Sequence, residues 1–280
     1  MQAMFYRDDG DGSFTCQLCP HYCRLSNNEA GFCGVRGVYE GRFLSLGYGR
    51  ISSGAIDPIE KKPFYHYMPQ TSTLSIGFYG CNMDCPFCQN SSISKTLNDG
   101  PRTSPKEILR RAEYLEQKIV AFTYNEPLTN YEFVLQTAKL TQEAGFINAL
   151  VTNGYINKEP FAQLLPYFSA VNIDIKTFRD DIYRSVLHGS LNPVLETVKL
   201  AAENCHVEIC ALMAPGICTT DDVTGIAKFL AGINPALPLH VNRYYPSRYF
   251  AAEATPVGIL EEARDSAKNY LKHVYIGNLG

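Results

Sequence analysis

Residues 74–90 read LSIGFYGCNMDCPFCQN, a short apolar run followed at once by three cysteines. The apolar part, residues 74–78, has the length and composition of a buried β-strand. Cys81, Cys85 and Cys88 come next with the spacing C-x3-C-x2-C. Thiols at such short intervals behind a strand are hard to explain by core packing, so this segment predicts a metal site.

Three thiolates can hold three irons of a [4Fe-4S] cubane and leave the fourth iron without a protein ligand. An open coordination position separates a catalytic metal centre from a closed, structural one. The open iron can chelate the amino and carboxylate groups of a methionine moiety, and an electron from the cluster can then cleave the adjacent C–S bond. The alternative is a zinc site with its fourth ligand elsewhere, since zinc commonly uses C-x2-C pairs.

Strands and helices alternate along the sequence from residue 72 onward. Helix boundaries carry clear signals, such as the capping box that Ser104 and Glu107 can form and Gly145 behind a helix over residues 128–144. The series predicts an α/β fold, a partial (β/α)6 TIM-like barrel, with a doubly wound sheet as the competing architecture. Strands are predicted near residues 74–78, 119–123, 146–151, 170–175, 206–213, 237–242 and 274–276.

The chain is predicted to divide into a small Cys-rich extension with its lead-in, residues 1–70, and a barrel domain, residues 71–280. Within the extension, residues 38–46 indicate a hairpin that turns at Glu40 and Gly41.

A second group of cysteines, at positions 16, 19, 23 and 33, stands in a loop-like segment with few apolar residues. Such a segment needs a cross-link to fold, and a bound metal supplies one. A zinc ion and an auxiliary [4Fe-4S] cluster both suit four thiolates, and four metal-free thiols are the remaining alternative. The candidate ligands are Cys16, Cys19, Cys23 and Cys33.

Composition narrows the class of protein. A net charge of −3 does not indicate a protein that binds nucleic acid or an anionic membrane. No apolar run is long enough to cross a bilayer. The polar N-terminus lacks the apolar core of a signal peptide, so we expect a cytoplasmic protein. In that reducing compartment, ten cysteines indicate metals and not disulfides. Cys205, Cys210 and Cys218 are interpreted as small buried hydrophobes.

Several motifs resemble those of a known family. The stretch YGCNMDCPFCQN, residues 79–90, is similar to the cluster loop of radical S-adenosylmethionine (SAM) enzymes. Nearly the whole chain resembles the AmmeMemoRadiSam enzymes, relatives of the pyruvate formate-lyase activating enzymes. The motifs that carry this second resemblance are KKPFYHYMP (61–69), TYNEP (123–127), TNGY (152–155), NIDIK (172–176) and VYIGN (274–278).

The resemblance implies a [4Fe-4S] cluster on Cys81, Cys85 and Cys88, with SAM bound beside it. The activases carry a Gly-Gly-Glu stretch that holds the methionyl amino group; here Asn125 and Glu126 stand in its place and both glycines are missing. The residues implied to contact SAM are Phe87, Gln89, Asn125, Glu126, Asn153, Asp174, Lys176 and Tyr245. For Asp174 and Lys176, a structural ion pair at the barrel rim is the alternative.

The activity implied by the resemblance is reductive cleavage of SAM to a 5′-deoxyadenosyl radical, which abstracts hydrogen from a peptide, a protein or a small aromatic substrate. Implied partners are a flavodoxin- or ferredoxin-type reductant and Amme- and Memo-type proteins, with no nucleic acid or membrane. Alternatives are a glycyl-radical enzyme activase, a zinc-binding interaction protein and a plain electron carrier. Members of the group often continue past VYIGN into a Cys-Pro-x-Cys tail, whereas this sequence stops at Gly280.

Overall fold

The computed structural model describes residues 1–97, 100–247 and 249–279. Near the N-terminus, β1 (Tyr6–Asp8), β2 (Phe14–Cys16) and β3 (Arg24–Leu25) form a small antiparallel sheet. They are followed by a hairpin of β4 (Arg36–Tyr39) and β5 (Arg42–Ser45).

The predicted turn at Glu40 and Gly41 is confirmed. Both residues have positive φ, 51° and 66°, as a two-residue type I′ hairpin turn requires.

The main sheet has eight strands. Its first strand along the chain, β6 (Ser53–Pro58), comes from the lead-in and forms one edge, antiparallel to its neighbour. All later strands pair in parallel and in sequence order from β7 to β13. They are β7 (Ser72–Gly77), β8 (Ile119–Thr123), β9 (Ile147–Thr152), β10 (Ala170–Asp174), β11 (His206–Met213), β12 (Leu239–Arg243) and β13 (Val274–Gly277).

Helices connect the parallel strands. They are α1 (Ser91–Ser94), α2 (Pro105–Tyr114), α3 (Tyr131–Glu143), α4 (Lys158–Leu164), α5 (Asp180–Ser185), α6 (Leu191–Ala202), α7 (Thr220–Ala231) and α8 (Val257–Lys268). Short 3-10 helices cover Ile59–Lys61, Pro127–Asn130 and Leu165–Tyr167. The predicted capping box is confirmed, since Ser104 caps α2 and Glu107 bonds back to it.

The fold class is confirmed. Six βα units in sequence order, followed by the seventh parallel strand β13, form a partial TIM-like barrel. A doubly wound sheet would instead reverse its strand order at a switch point.

The two faces of the sheet pack against different partners, because successive side chains of a strand point to opposite faces. One face, with side chains such as Leu74 and Phe122, packs under the helices. On the other face, Ala121 and Ala170 pack against Ile59 and Phe64. Residues 59–68, which precede β7, therefore cover the inner face near the amino ends of the strands.

The N-terminal strands share the main apolar core, and a buried ion pair ties them to α3. Arg36 Nη1 donates to Glu132 Oε1 at 2.8 Å, and both side chains are 2% exposed. The predicted division of the chain at residue 70 stays a prediction. Strand β6 precedes that residue and yet pairs with the barrel sheet. Gly280, the predicted end of the barrel domain, lies outside the described residues. Among the residues described, no helix is long and apolar enough to cross a membrane.

Candidate functional site

A cavity of about 1190 Å³ opens where the parallel strands end. Carboxyl ends of parallel strands meet at one edge of a sheet, which is where barrel folds carry their sites. Side chains from the loops after β7, β8, β9, β10 and β12 reach this cavity together. The eleven residues predicted for the cluster and for SAM all line it: Cys81, Cys85, Phe87, Cys88, Gln89, Asn125, Glu126, Asn153, Asp174, Lys176 and Tyr245.

The cysteine loop after β7 presents three free thiols. Burial raises the pKa of the Cys81 thiol, and that of Cys85 to about 11. Coordination to a metal would reverse this effect, because a metal-bound thiol is deprotonated. In the described part of the chain, no three His, Cys, Asp or Glu side chains are grouped to ligate one metal ion. The three thiols lie instead along the wall of the wide cavity.

Asn153, behind β9, holds the cysteine loop from one side. Its Nδ2 donates to Asn82 Oδ1 at 2.9 Å and lies 3.8 Å from Cys81 Sγ. Asn82 in turn donates through its own Nδ2 to the carbonyl oxygen of Tyr155 at 2.6 Å. The chain beside Cys81 is thus fixed by a buried amide pair.

The turn after β8 is strained. Tyr124 has φ +72°, and the N–H of Asn125 donates to the carbonyl oxygen of Thr123 at 3.1 Å. This is the geometry of the rare γ-turn, which costs free energy and concentrates at functional sites.

The side chain of Asn125 joins this turn to the chain that leads into the cysteine loop. Its Oδ1 accepts from the N–H of Phe78 at 3.1 Å, and its Nδ2 donates to the carbonyl oxygen of Gly80. Asn125 therefore cross-links the turn after β8 to the chain that follows β7.

Glu126 is 1% exposed, and its carboxylate accepts three hydrogen bonds. They come from the N–H of Leu128 at 3.1 Å, the hydroxyl of Thr152 at 2.8 Å and the N–H of Asn153 at 2.7 Å. Burial raises its pKa to about 7, although the three donors oppose the rise. Glu126 thus joins the end of β8 to the end of β9 at the cavity wall.

Asp174 and Lys176 form an ion pair at the end of β10, with Lys176 Nζ 2.7 Å from Asp174 Oδ2. Burial alone would lower the pKa of Lys176, but Asp174 and the Cys85 thiol more than offset it and raise the pKa. The ammonium group is therefore charged and uses one of its three protons on Asp174.

Tyr245, behind β12, connects that strand to the cysteine loop. Gln89 Nε2 donates to the carbonyl oxygen of Tyr245 at 3.0 Å. Arg243 Nη1 donates to the Tyr245 hydroxyl at 3.1 Å. Phe87 is buried, with its ring 6.4 Å from that of Phe250, which shields this side of the loop from water.

Sequence reasoning missed a polar trio in the lower part of the cavity. Asp57 Oδ2 lies 2.8 Å from Lys62 Nζ and accepts from the Tyr124 hydroxyl at 2.7 Å. Although burial opposes it, these partners hold the pKa of Asp57 at about 2. Asp57 belongs to β6, which pairs antiparallel with β7. No local sequence pattern indicated this pairing.

Three further cavity residues lie on the inner face of the sheet: Asn172, Cys210 and Asn242. Cys210, interpreted from the sequence as a small buried hydrophobe, is 2% exposed and also faces the cavity.

The four N-terminal cysteines come together around a second cavity, of about 20 Å³. Asn82, from the loop of the first site, also lines it. The four are Cys16, Cys19, Cys23 and Cys33, all free thiols.

Comparison with known proteins gives a family match. The model of the radical SAM superfamily matches residues 75–230. An uncharacterized protein of Methanocaldococcus jannaschii is 39% identical over 286 residues, which cover 99% of this chain and 85% of that protein. A putative glycyl-radical enzyme activating enzyme of the same organism is 26% identical over 209 residues, covering 70% of this chain and 77% of that protein.

Among solved structures, a radical SAM methyltransferase from Sphaerobacter thermophilus is similar in fold. The TM-score is 0.61 at 14% identity, and the match covers 75% of this chain and 67% of that chain. At this identity the likeness concerns the fold alone.

Proposed function

The chain belongs to the radical SAM superfamily and is accordingly an enzyme, and on that premise we propose that Cys81, Cys85 and Cys88 hold its [4Fe-4S] cluster. One observation carries the proposal. A single cavity at the carboxyl ends of the strands gathers the three thiols and all eight residues proposed to contact SAM. When bound, the cluster and SAM supply a 5′-deoxyadenosyl radical by reductive cleavage.

The donor set fits that pair of groups. Three thiols can hold three irons and leave one iron open for a chelating ligand. Buried Met83 and Phe87 keep water from the cysteine loop, which protects a radical from side reactions.

Lys176 and Asp174 suit the polar groups of SAM. Lys176 keeps two N–H donors after its bond to Asp174, enough to bind a carboxylate. The second oxygen of Asp174 is available to accept from a hydroxyl or an amine. We propose that the pair orients SAM and is not only a structural ion pair of the barrel rim.

For the substrate, we propose hydrogen abstraction from a peptide or protein. The activating-enzyme relative supports a protein substrate and a redox partner such as a flavodoxin or a ferredoxin. The motif resemblance supports the AmmeMemoRadiSam group, with Amme- and Memo-type partner proteins. The free thiols support a cytoplasmic location.

A second candidate is a glycyl-radical enzyme activase, which the 26% identical relative favours. An activase would leave a stable radical on its partner enzyme, visible by electron paramagnetic resonance (EPR). Hydrogen abstraction from a modified peptide would leave a changed peptide and no lasting protein radical.

The test is anaerobic reconstitution with iron and sulfide, followed by iron counting and a 5′-deoxyadenosine assay under dithionite. A triple variant, Cys81→Ala with Cys85→Ala and Cys88→Ala, is expected to lose about four irons and all SAM cleavage. Cys205→Ala, a change at a half-buried thiol outside both cysteine groups, is the matched control and is expected to keep both. A triple variant that retained its iron and cleaved SAM would overturn the assignment.

A further inference from the structure

We propose that three polar side chains on the inner face of the sheet bind the amide groups of a peptide substrate. Together they form a polar strip inside the large cavity: Asn172 in β10, Cys210 in β11 and Asn242 in β12. The peptide would enter the cavity end-on, beside SAM. Its role as substrate rests on the proposed function, whereas the preference of the strip for neutral amides does not.

The polar strip rises diagonally across three neighbouring strands, from the floor of the cavity towards its mouth. Asn172 is in register with Glu208, two residues before Cys210 on β11. Asn242 is in register with Leu212, two residues after Cys210. Alternate residues of a strand point to the same face of a sheet. The strip therefore rises about 13 Å, as far as roughly four residues of an extended peptide.

The floor of the cavity is covered by the chain segment that precedes β7. The carbonyl oxygen of Pro63 accepts from Asn172 Nδ2 at 2.8 Å. The N–H groups of Tyr65 and His66 donate to Glu208, at 3.0 and 2.8 Å. These bonds hold the segment across the amino ends of β10 and β11. A ligand of the polar strip therefore arrives from the carboxyl ends of the strands, past the cysteine loop.

Asn172 has a buried acceptor that lacks a partner. Its side chain is 0% exposed, and its Nδ2 is already bonded to Pro63. Because a carbonyl oxygen only accepts, this bond fixes which end of the amide is free. The free atom, Oδ1, has no hydrogen-bond partner among the described residues. A buried acceptor of this kind is costly, and an N–H donor of a ligand would satisfy it.

The charges around the polar strip are paired, which favours a neutral ligand. Near the floor, Lys62 Nζ lies 2.8 Å from Asp57 Oδ2, and near the mouth Lys176 Nζ lies 2.7 Å from Asp174 Oδ2. Burial raises the pKa of the Cys210 thiol well above its usual value, so the thiol is uncharged. A carboxylate or an ammonium group would lose its hydration here without gaining a free counter-charge, which is unfavourable.

Peptide groups match the polar strip because each one carries a donor and an acceptor. A peptide N–H would bond to Asn172 Oδ1, and a peptide carbonyl oxygen would accept from Asn242 Nδ2. Gly277 makes room for the second of these side chains, since an added Cβ there would lie 2.1 Å from Asn242 Oδ1.

The cavity is large enough for a peptide segment and SAM together. Its volume is about 1190 Å³. Pockets for a single small ligand usually measure about 300–1000 Å³. The polar strip and the residues proposed to contact SAM therefore belong to one chamber that holds two molecules.

The experiment measures peptide binding to the anaerobically reconstituted protein, with SAM present, by saturation-transfer NMR. The probes are acetyl-triglycine amide and its analogue with every amide nitrogen methylated. The wild type is expected to bind the methylated peptide about tenfold more weakly, because the buried acceptor then stays unpaired. Free triglycine, which is charged at both ends, is expected to bind more weakly than the capped peptide.

Variants assign the preference to the polar strip. Asn172→Leu removes the acceptor and is expected to abolish the preference for the unmethylated peptide. Asn148→Leu is the matched control, because Asn148 is equally buried in β9 but bonds to α3 and to the carbonyl oxygen of Tyr167. It should keep the wild-type preference. Asn242→Leu leaves the bond to Pro63 intact and should weaken binding even where Asn172→Leu does not fold.

The failures are distinguishable. Equal binding of the two capped peptides to the wild type, or binding of neither, would overturn the proposal. Tighter binding of free triglycine would do the same, because it would show that the site selects charge. An unchanged preference in both strip variants would also overturn it. No 5′-deoxyadenosine from the wild type with dithionite would instead overturn the proposed function and leave the binding result standing.

Discussion

The two cysteine groups lie back to back, and their surroundings differ more than their chemistry. Cys81, Cys85 and Cys88 line a cavity of about 1190 Å³ with charged and amide side chains around it. The N-terminal four enclose about 20 Å³ between mainly apolar walls. An open, polar chamber of this size can admit another molecule, whereas the small apolar cavity between the N-terminal thiols cannot.

The two groups are also held in place differently. The first sits on one short loop, fixed from behind by Asn153 and Asn82. The second is assembled from two separate stretches and lies beside Arg36, which is paired with Glu132 in α3. Long-range hydrogen bonds therefore hold the first group on its single loop, whereas the second group joins two stretches of the N-terminal region.

The largest expected effect lies in the open chamber. Cys85→Ala removes one of three proposed ligands, so SAM cleavage with dithionite is expected to fall below detection in a 5′-deoxyadenosine assay. Cys23→Ala is the counterpart in the closed group and should leave dithionite-driven cleavage measurable. Equal losses in the two variants would remove the functional difference between the groups.

The second prediction is a loss of stability when the buried ion pair of the N-terminal region is broken. Glu132→Gln leaves the buried Arg36 without its counter-charge, at a cost of about 3–5 kcal/mol in the free energy of unfolding. Denaturant titration measures it. Glu196→Gln, which breaks an exposed pair with Lys199, is the matched control and should cost about 0–1 kcal/mol. A similar small loss in both would mean that the ion pair does not anchor the N-terminal region.

Gly80 lies between the two groups and tests their contact. It has φ +87°, and an added Cβ would lie 2.6 Å from a methyl group of Val35. Gly216→Ala is the control, because its φ is +75° but nothing lies within 4 Å. We expect about 1 kcal/mol of lost stability for the control from backbone strain alone, and more for Gly80→Ala. Equal losses of stability in the two variants would show that Val35 can move away from the added methyl group without further destabilisation.

The last expected effect is a pH dependence of stability at the open chamber. The folded protein raises the pKa of Glu126 from 4.5 to about 7. Below pH 4.5 the carboxyl is protonated in both the folded and unfolded states, and above about pH 7 its ionised form is disfavoured by burial. Its contribution to stability therefore falls as the pH rises between these values.

Glu126→Gln should flatten that part of the stability profile, measured by thermal unfolding across the pH range. Glu113→Gln, at an exposed position of α2, is the control and should keep the wild-type profile. A variant profile that falls as steeply as the wild type would contradict the assigned cause.

Sequence reasoning succeeded where the information is local. The cysteine loop, the capping box at Ser104 and the residues at the strand ends each follow from a short stretch of chain. Parallel strands in sequence order then bring those strand ends to one edge, which is why Glu126, Asn153 and Asp174 share a cavity.

Contacts between residues far apart in the sequence could not be predicted, for a physical reason. Arg36 and Glu132 are 96 positions apart, and Tyr124 and Asp57 are 67 apart. Each of these residues is ordinary in its own stretch of sequence. Only the packing of β6 and the N-terminal strands against the barrel gives the pairs their roles.

The lower end of the barrel has a consequence for how the chain matures. The carboxylate of Glu208 in β11 accepts the N–H groups of Tyr65 and His66, at 3.0 and 2.8 Å, from 143 and 142 positions away. During synthesis, the segment around Tyr65 leaves the ribosome long before its anchor exists. Until β11 is made, this segment lacks the two hydrogen bonds that hold it to the sheet, so this closure of the barrel is completed late in synthesis.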